Sequence, residues 1–190
     1  MELINAMTFD IETRKLANDV GGWGALKRGE GGASAIVVWS GEAGRPYLFD
    51  DNCVEDAVAL LESAPCVVSF NGIGFDVPIL EGLLGRKLRL EAHIDLLDHI
   101  WSASGRRSHK GYGLGPTSER TLGRTKTEDA KMAPELADSG QFGRLFNYCL
   151  EDVLLTRDLA RYIQEHQGVI DTNGGILPLN LPQWFQKAAL

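Results

Sequence analysis

Long hydrophobic runs, cysteine pairs and zinc-type histidine spacing are all missing from this sequence, and each absence removes a class of protein. No uninterrupted apolar run exceeds five residues, as at 35–39, whereas a membrane helix needs about 20. No membrane partner is expected. The chain opens Met1, Glu2, Leu3, Ile4, Asn5, with an acid and no basic stretch ahead of a long apolar one, so a secretion signal is not indicated and a cytoplasmic address is expected. Cys53, Cys66 and Cys149 are odd in number, far apart and without a C-x-x-C pair, which argues against a disulfide framework or a zinc knuckle. His93, His99, His109 and His166 have no H-E-x-x-H spacing, so a zinc hydrolase is unsupported. G-x-x-x-x-G-K-[ST] is absent, which leaves any ATPase activity to another chain. The Gly72-x-Gly74 and Gly111-x-Gly113-x-Gly115 runs also lack the third glycine or the preceding strand of a dinucleotide fingerprint.

An excess of basic charge is missing too: the formal net charge is −7, where phosphate binding usually leaves a basic footprint. The average hides a division, because residues 101–131 hold seven basic residues against three acidic ones. One segment could therefore face an anion, with Arg106, Arg107 and Lys110 as candidate phosphate contacts. The length of 190 residues and 44% hydrophobic content suit one globular domain over residues 1–190.

The elements follow from periodicity and punctuation. Residues 2–9 read as a first strand running into Asp10 and Glu12, and residues 18–32, with six glycines, as a surface loop. Residues 35–39 and 46–49 suggest a hairpin, and Asp51 or Asn52 can cap a helix through Leu61. A strand at 66–70 and a helix at 75–84 come next, with Pro78 tolerated in the first turn. Residues 94–101 continue the pattern less clearly, and residues 102–115 read as mobile. A long helix is expected at 141–166, with Phe142, Phe146, Cys149, Val153 and Ala160 in one apolar stripe and Tyr148 and Asp152 on its flank. Residues 169–181 bracket Asn173-Gly174-Gly175 as a terminal hairpin.

Four acids stand where an α/β scaffold can gather them. Asp10 and Glu12 are two apart, so a strand aims both at one face; Asp76 opens a helix after a buried strand. Tyr148 and Asp152 are four apart, one helical turn, and point into the same space. Taken singly, each has a blander role as a helix-end charge or a solvated face. Together, an all-carboxylate set selects hard ions such as Mg²⁺ or Mn²⁺.

Phe9-Asp10-Ile11-Glu12-Thr13, Asn71-Gly72-Ile73-Gly74-Phe75-Asp76 and Tyr148-Cys149-Leu150-Glu151-Asp152 resemble, in order, the three exonuclease motifs of the DEDD (DnaQ-like) 3′–5′ exonucleases. Position 147 is Asn, while Tyr148 stands four before Asp152. This is similar to the tyrosine branch, which includes family B polymerase proofreading and helicase-associated exonuclease domains. The resemblance spans residues 9–152 and implies an α/β, ribonuclease H-like fold with a mixed central sheet flanked by helices. It further implies that Asp10, Glu12, Asp76 and Asp152 hold two divalent ions, Mg²⁺ or Mn²⁺, with Tyr148 aiming the attacking water. Asn71 and Phe75 would meet the terminal nucleotide at the 3′ end of single-stranded DNA or RNA, and a polymerase or helicase is a possible partner. The other readings left open are a non-catalytic nucleic-acid-binding module and a structure-specific endonuclease.

Overall fold

The computed structural model describes residues 5–105, 111–127 and 131–185. Its first half runs β1 (Met7–Thr13), α1 (Trp23–Ala25), β2 (Ala33–Ser40), β3 (Arg45–Phe49), α2 (Val54–Glu62), β4 (Val67–Ser69) and α3 (Asp76–Leu84). The second half runs β5 (His93–Asp95), α4 (Leu96–Ser104), α5 (Leu114–Leu122), α6 (Met132–Asp138), α7 (Phe142–His166), β6 (Gly168–Ile170) and β7 (Ile176–Pro178). Five strands form one mixed sheet in the order β3-β2-β1-β4-β5. The β1–β2 and β2–β3 pairs are antiparallel, whereas β1–β4 and β4–β5 are parallel.

Strand alternation divides the apolar residues between two faces. Phe9, Ile11, Ile36 and Val38 join α2 and α3 in one core, through Ala57, Val58, Leu61, Ile79 and Leu80. Ala35 and Val37 face the other way, onto Leu145, Cys149 and Val153 of α7 and Leu136 of α6. Since Asp10 pairs with Val37 and Glu12 with Ala35, both acids lie on the α7 side of the sheet. The later half of α7 packs Leu155, Leu159 and Ile163 with α4 and with Val169 of β6. The expected terminal hairpin is present as β6–β7, antiparallel and in a sheet of its own. Among the described residues, no helix is long and apolar enough to cross a membrane.

Several sequence expectations are corrected. The first strand begins at Met7 and continues through Thr13, so Asp10 and Glu12 lie within it; residues 1–4 are outside the described residues. Neither Asp51 nor Asn52 caps α2; Asp50 caps the 3-10 turn (Asp51–Cys53) that leads into it, accepting from Asn52 N at 3.0 Å. Residues 18–32 are not a loose surface loop. They form a 3-10 turn (Ala17–Val20), α1 and a wide turn (Leu26–Glu30) with Ala25 and Leu26 buried. Their glycines serve close packing: a Cβ on Gly82 of α3 would lie 2.3 Å from the Arg28 carbonyl carbon, and one on Gly29 2.7 Å from Leu83 N.

Within 102–115, the described residues 102–105 and 111–115 also depart from the mobile reading. Ser104 ends α4, Leu114 begins α5, and Arg120 of α5 donates to Gly111 O at 2.6 Å and Ile170 O at 3.2 Å. Arg106, Arg107 and Lys110 lie outside the described residues. On α7, Phe142 of the expected stripe is 42% exposed, whereas the flank residues Tyr148 and Asp152 are buried. The helix is covered on more than one side, so a single-stripe reading understates its buried face.

Candidate active site

β1 outruns β4, whose pairing with it covers only Met7 and Thr8. The half of β1 that β4 does not cover is where the acids gather. Ile11 N, beyond the reach of β4, donates to Asp76 Oδ1 at 3.0 Å across the chain. This bond fixes the start of α3 against β1. The loop before it, residues 71–75, is held from below by buried Asp95, whose carboxylate accepts from Asn71 N at 2.8 Å, Ile73 N at 2.9 Å and Leu97 N at 3.0 Å. Asn71 adopts φ 70°, a left-handed conformation that asparagine tolerates better than most residues. A Cβ on Gly74 would lie 2.6 Å from Asn71 Oδ1 and would push that side chain aside.

Asp10, Glu12 and Asp152 each offer a carboxylate oxygen within 4.8 Å of the others. Asp76 lines the same pocket but stands outside that close group. Tyr148 sits one turn before Asp152 on α7, with both residues buried. Of the site residues read from sequence, Asp10, Glu12, Asp76, Tyr148, Asp152, Asn71 and Phe75 all line a single pocket of about 390 Å³. That volume is in the range of small-ligand sites.

Crowding raises the acids' proton affinity. Burial, then the charges of Asp76, Asp152 and Glu12, pushes the Asp10 pKa well above the usual carboxylate range. Burial and Asp152 do the same to Glu12. Asp76 is raised by burial to about 7, although the amide bond from Ile11 works against the rise. Burial also raises Asp152, against the pull of Lys126. Tyr148 is driven up by burial and then by Glu12, so its phenol stays protonated.

Two residues here escaped sequence reasoning. Lys126 Nζ lies 2.5 Å from Asp152 Oδ2 and 3.2 Å from Tyr148 Oη; only the general basicity of residues 101–131 hinted at it. Trp23, 63% exposed, meets Phe75 edge-on with ring centroids 6.1 Å apart, and both line the pocket. An exposed tryptophan amid glycines was the available signal.

The donor set fits a hard divalent cation. It is all carboxylate oxygen, and Asp152 Oδ1 is buried with no hydrogen-bond partner among the described residues, an expensive state unless something else satisfies it. The three clustered acids, with Asp76 in the same pocket, are the groups that would hold such an ion.

No curated protein matches the chain. Among solved structures it is similar to the family B DNA polymerase from the hyperthermophilic archaeon Pyrobaculum calidifontis, at a TM-score of 0.64 and 20% identity. The match covers 83% of this chain and 24% of the polymerase chain, and at that identity it speaks for the fold. A family model described as the RNase_H superfamily matches residues 7–164. With a mixed five-stranded sheet flanked by helices and an acidic pocket at the end of its first strand, the chain belongs to the RNase_H superfamily.

Proposed function

We propose that the chain is a metal-dependent 3′–5′ exonuclease that hydrolyses phosphodiester bonds of single-stranded nucleic acid, DNA ahead of RNA, and releases nucleoside monophosphates. The observation that carries this reading is the group of Asp10, Glu12 and Asp152 oxygens within 4.8 Å of one another, in a pocket also lined by Trp23, Phe70 and Phe75. When bound, Mg²⁺ or Mn²⁺ would supply positive charge to the phosphate oxygens and lower the pKa of an attacking water.

The chain's own residues do the rest. Asp10, Glu12 and Asp152 would hold the charge in place, and Asp76, lining the same pocket, would complete the set for a second ion. Tyr148, kept protonated by burial, is a poor base and instead hydrogen-bonds and aims the water. Trp23 and Phe75 offer ring surface to the terminal base, where stacking contributes about 1–3 kcal/mol per base. Asn71 borders the same nucleotide, and Arg106, Arg107 and Lys110 would meet phosphates further along the strand. Likeness to a family B DNA polymerase favours DNA as the substrate and a polymerase or helicase as the working context.

The test is a time course on 5′-labelled single-stranded DNA and RNA with Mg²⁺, Mn²⁺ or EDTA, alongside Asp10→Asn. The expected result is a ladder shortening from the 3′ end, abolished by EDTA and by the substitution. Intact linear substrate under every condition, from folded protein, would turn the reading toward a binding module. Cleavage of circular single-stranded DNA would make the enzyme an endonuclease, since a circle has no end.

A further inference from the structure

Lys126 belongs to no motif and to no helix, yet it is the only cation among the described residues that line the acidic pocket. The segment carrying it is fastened to α7 on both sides of it. Arg124 Nη1 lies 2.7 Å from Asp158 Oδ2, and Thr127 Oγ1 donates to Glu151 Oε2 at 2.5 Å. Between these anchors Lys126 reaches Asp152 and Tyr148. Its stem passes Gly115 of α5, where a Cβ would lie 3.4 Å from Lys126 Cγ. An ammonium on a strap anchored at both flanks is held in place, in contrast to the free motion of most surface lysines.

The position is also where a divalent ion would act. Asp152 shares the close carboxylate group with Asp10 and Glu12, and Lys126 already engages one of its oxygens while the other is buried and unpartnered. Four crowded acids without any cation would repel one another strongly in a low-dielectric pocket. We propose that Lys126 is the site's built-in counter-ion: it holds the carboxylates together in the metal-free protein and competes with a divalent ion for Asp152. This inference rests on the metal-dependent reading above.

The proposal opposes the simpler view that Lys126 braces Asp152 for the metal, because the two predict opposite changes in affinity. Mn²⁺ binding is measured by calorimetry at pH 8 for wild type, Lys126→Met and Lys126→Gln, with melting temperatures in EDTA. Both variants should bind Mn²⁺ about tenfold tighter or more, which is about 1.4 kcal/mol, and melt lower than wild type without metal. Equal or weaker binding in the variants overturns the counter-ion role and leaves metal dependence standing. If wild type itself takes up no Mn²⁺, the metal-dependent reading fails instead.

Should neither variant fold, the wild-type protein decides. Its Lys126 side-chain ¹⁵N resonance, assigned by its loss in Lys126→Arg, should shift on adding Mg²⁺ as the contact with Asp152 breaks. A resonance that stays in place while Mg²⁺ binds would overturn the proposal.

Discussion

At the scale of single residues, the division of labour among acid, phenol and ammonium gives separable outcomes. Asp10→Asn removes one of three clustered charges and should abolish both Mn²⁺ uptake and most activity while leaving the fold intact. Tyr148→Phe removes only a hydroxyl that orients water, so a loss of about ten- to a hundredfold is expected, the range for groups that tune a metal site from outside its ligands. Initial rates with Mg²⁺ on a 3′-ended oligonucleotide check both, and a Tyr148→Phe enzyme as dead as Asp10→Asn would give the phenol a larger part. Asp10, Glu12, Tyr148 and Asp152 were legible because their placement depends only on local periodicity, two residues on a strand and four on a helix. Lys126 was not. Its partner Asp152 is far along the chain, and the contact exists only because Arg124 and Thr127 lay the intervening strap on α7.

Elements were legible where their own pattern was strong and invisible where tertiary contact decides. β2, β3, α2, α3 and α7 were anticipated within a few residues from their apolar spacing, whereas the first strand, expected at 2–9, runs Met7–Thr13. α5 reads Leu-Gly-Pro-Thr-Ser-Glu-Arg-Thr-Leu, with a glycine, a proline and two β-branched threonines, so propensity alone argues against it. Arg120 bonds to Gly111 and Ile170, together with burial of Leu114, Thr117 and Ser118, hold it in place. The glycine-rich stretch before β2 was misread for a related reason: glycine marks looseness and close approach alike.

Gly82 tests this at element scale. Alanine would gain about 1 kcal/mol of helix propensity, but its Cβ would meet the Arg28 backbone at 2.3 Å. Overpacking of that kind costs about 1–3 kcal/mol, so Gly82→Ala should lower stability to urea and disturb the Trp23 segment. A stabilised Gly82→Ala would show that α3 and the Leu26–Glu30 turn do not pack so closely. Asp95→Ala removes the acceptor of four backbone amides. Bonds to a charged group contribute about 1.5–3 kcal/mol each, though not additively. A loss of about 2–4 kcal/mol in urea denaturation is expected, with activity falling as the loop before Asp76 shifts.

For the whole molecule, the buried acids set how stability responds to pH and to metal. Asp10, Glu12, Asp76 and Asp152 all bind protons more tightly folded than unfolded, burial being the first cause in each. Between the ordinary carboxylate range and about 7, the value for Asp76, the native chain therefore holds protons that the unfolded chain has released. By linkage the metal-free protein must lose stability as pH rises through that window. His93 acts in the opposite sense, since burial lowers its pKa and favours the fold as pH rises toward the usual imidazole value, but it is one group against four. The melting temperature in EDTA should accordingly fall from pH 5 to pH 7.5, and a rise over that interval would mean the acids are not buried together as described. Divalent metal reverses the trend, because it binds the deprotonated carboxylates and displaces their protons. At a hundred times its dissociation constant it adds about 2.7 kcal/mol, which for a chain of this size raises the melting temperature by about 5–10 °C. That increment should grow with pH over the same window, so the curves with and without Mn²⁺ diverge where the protons leave.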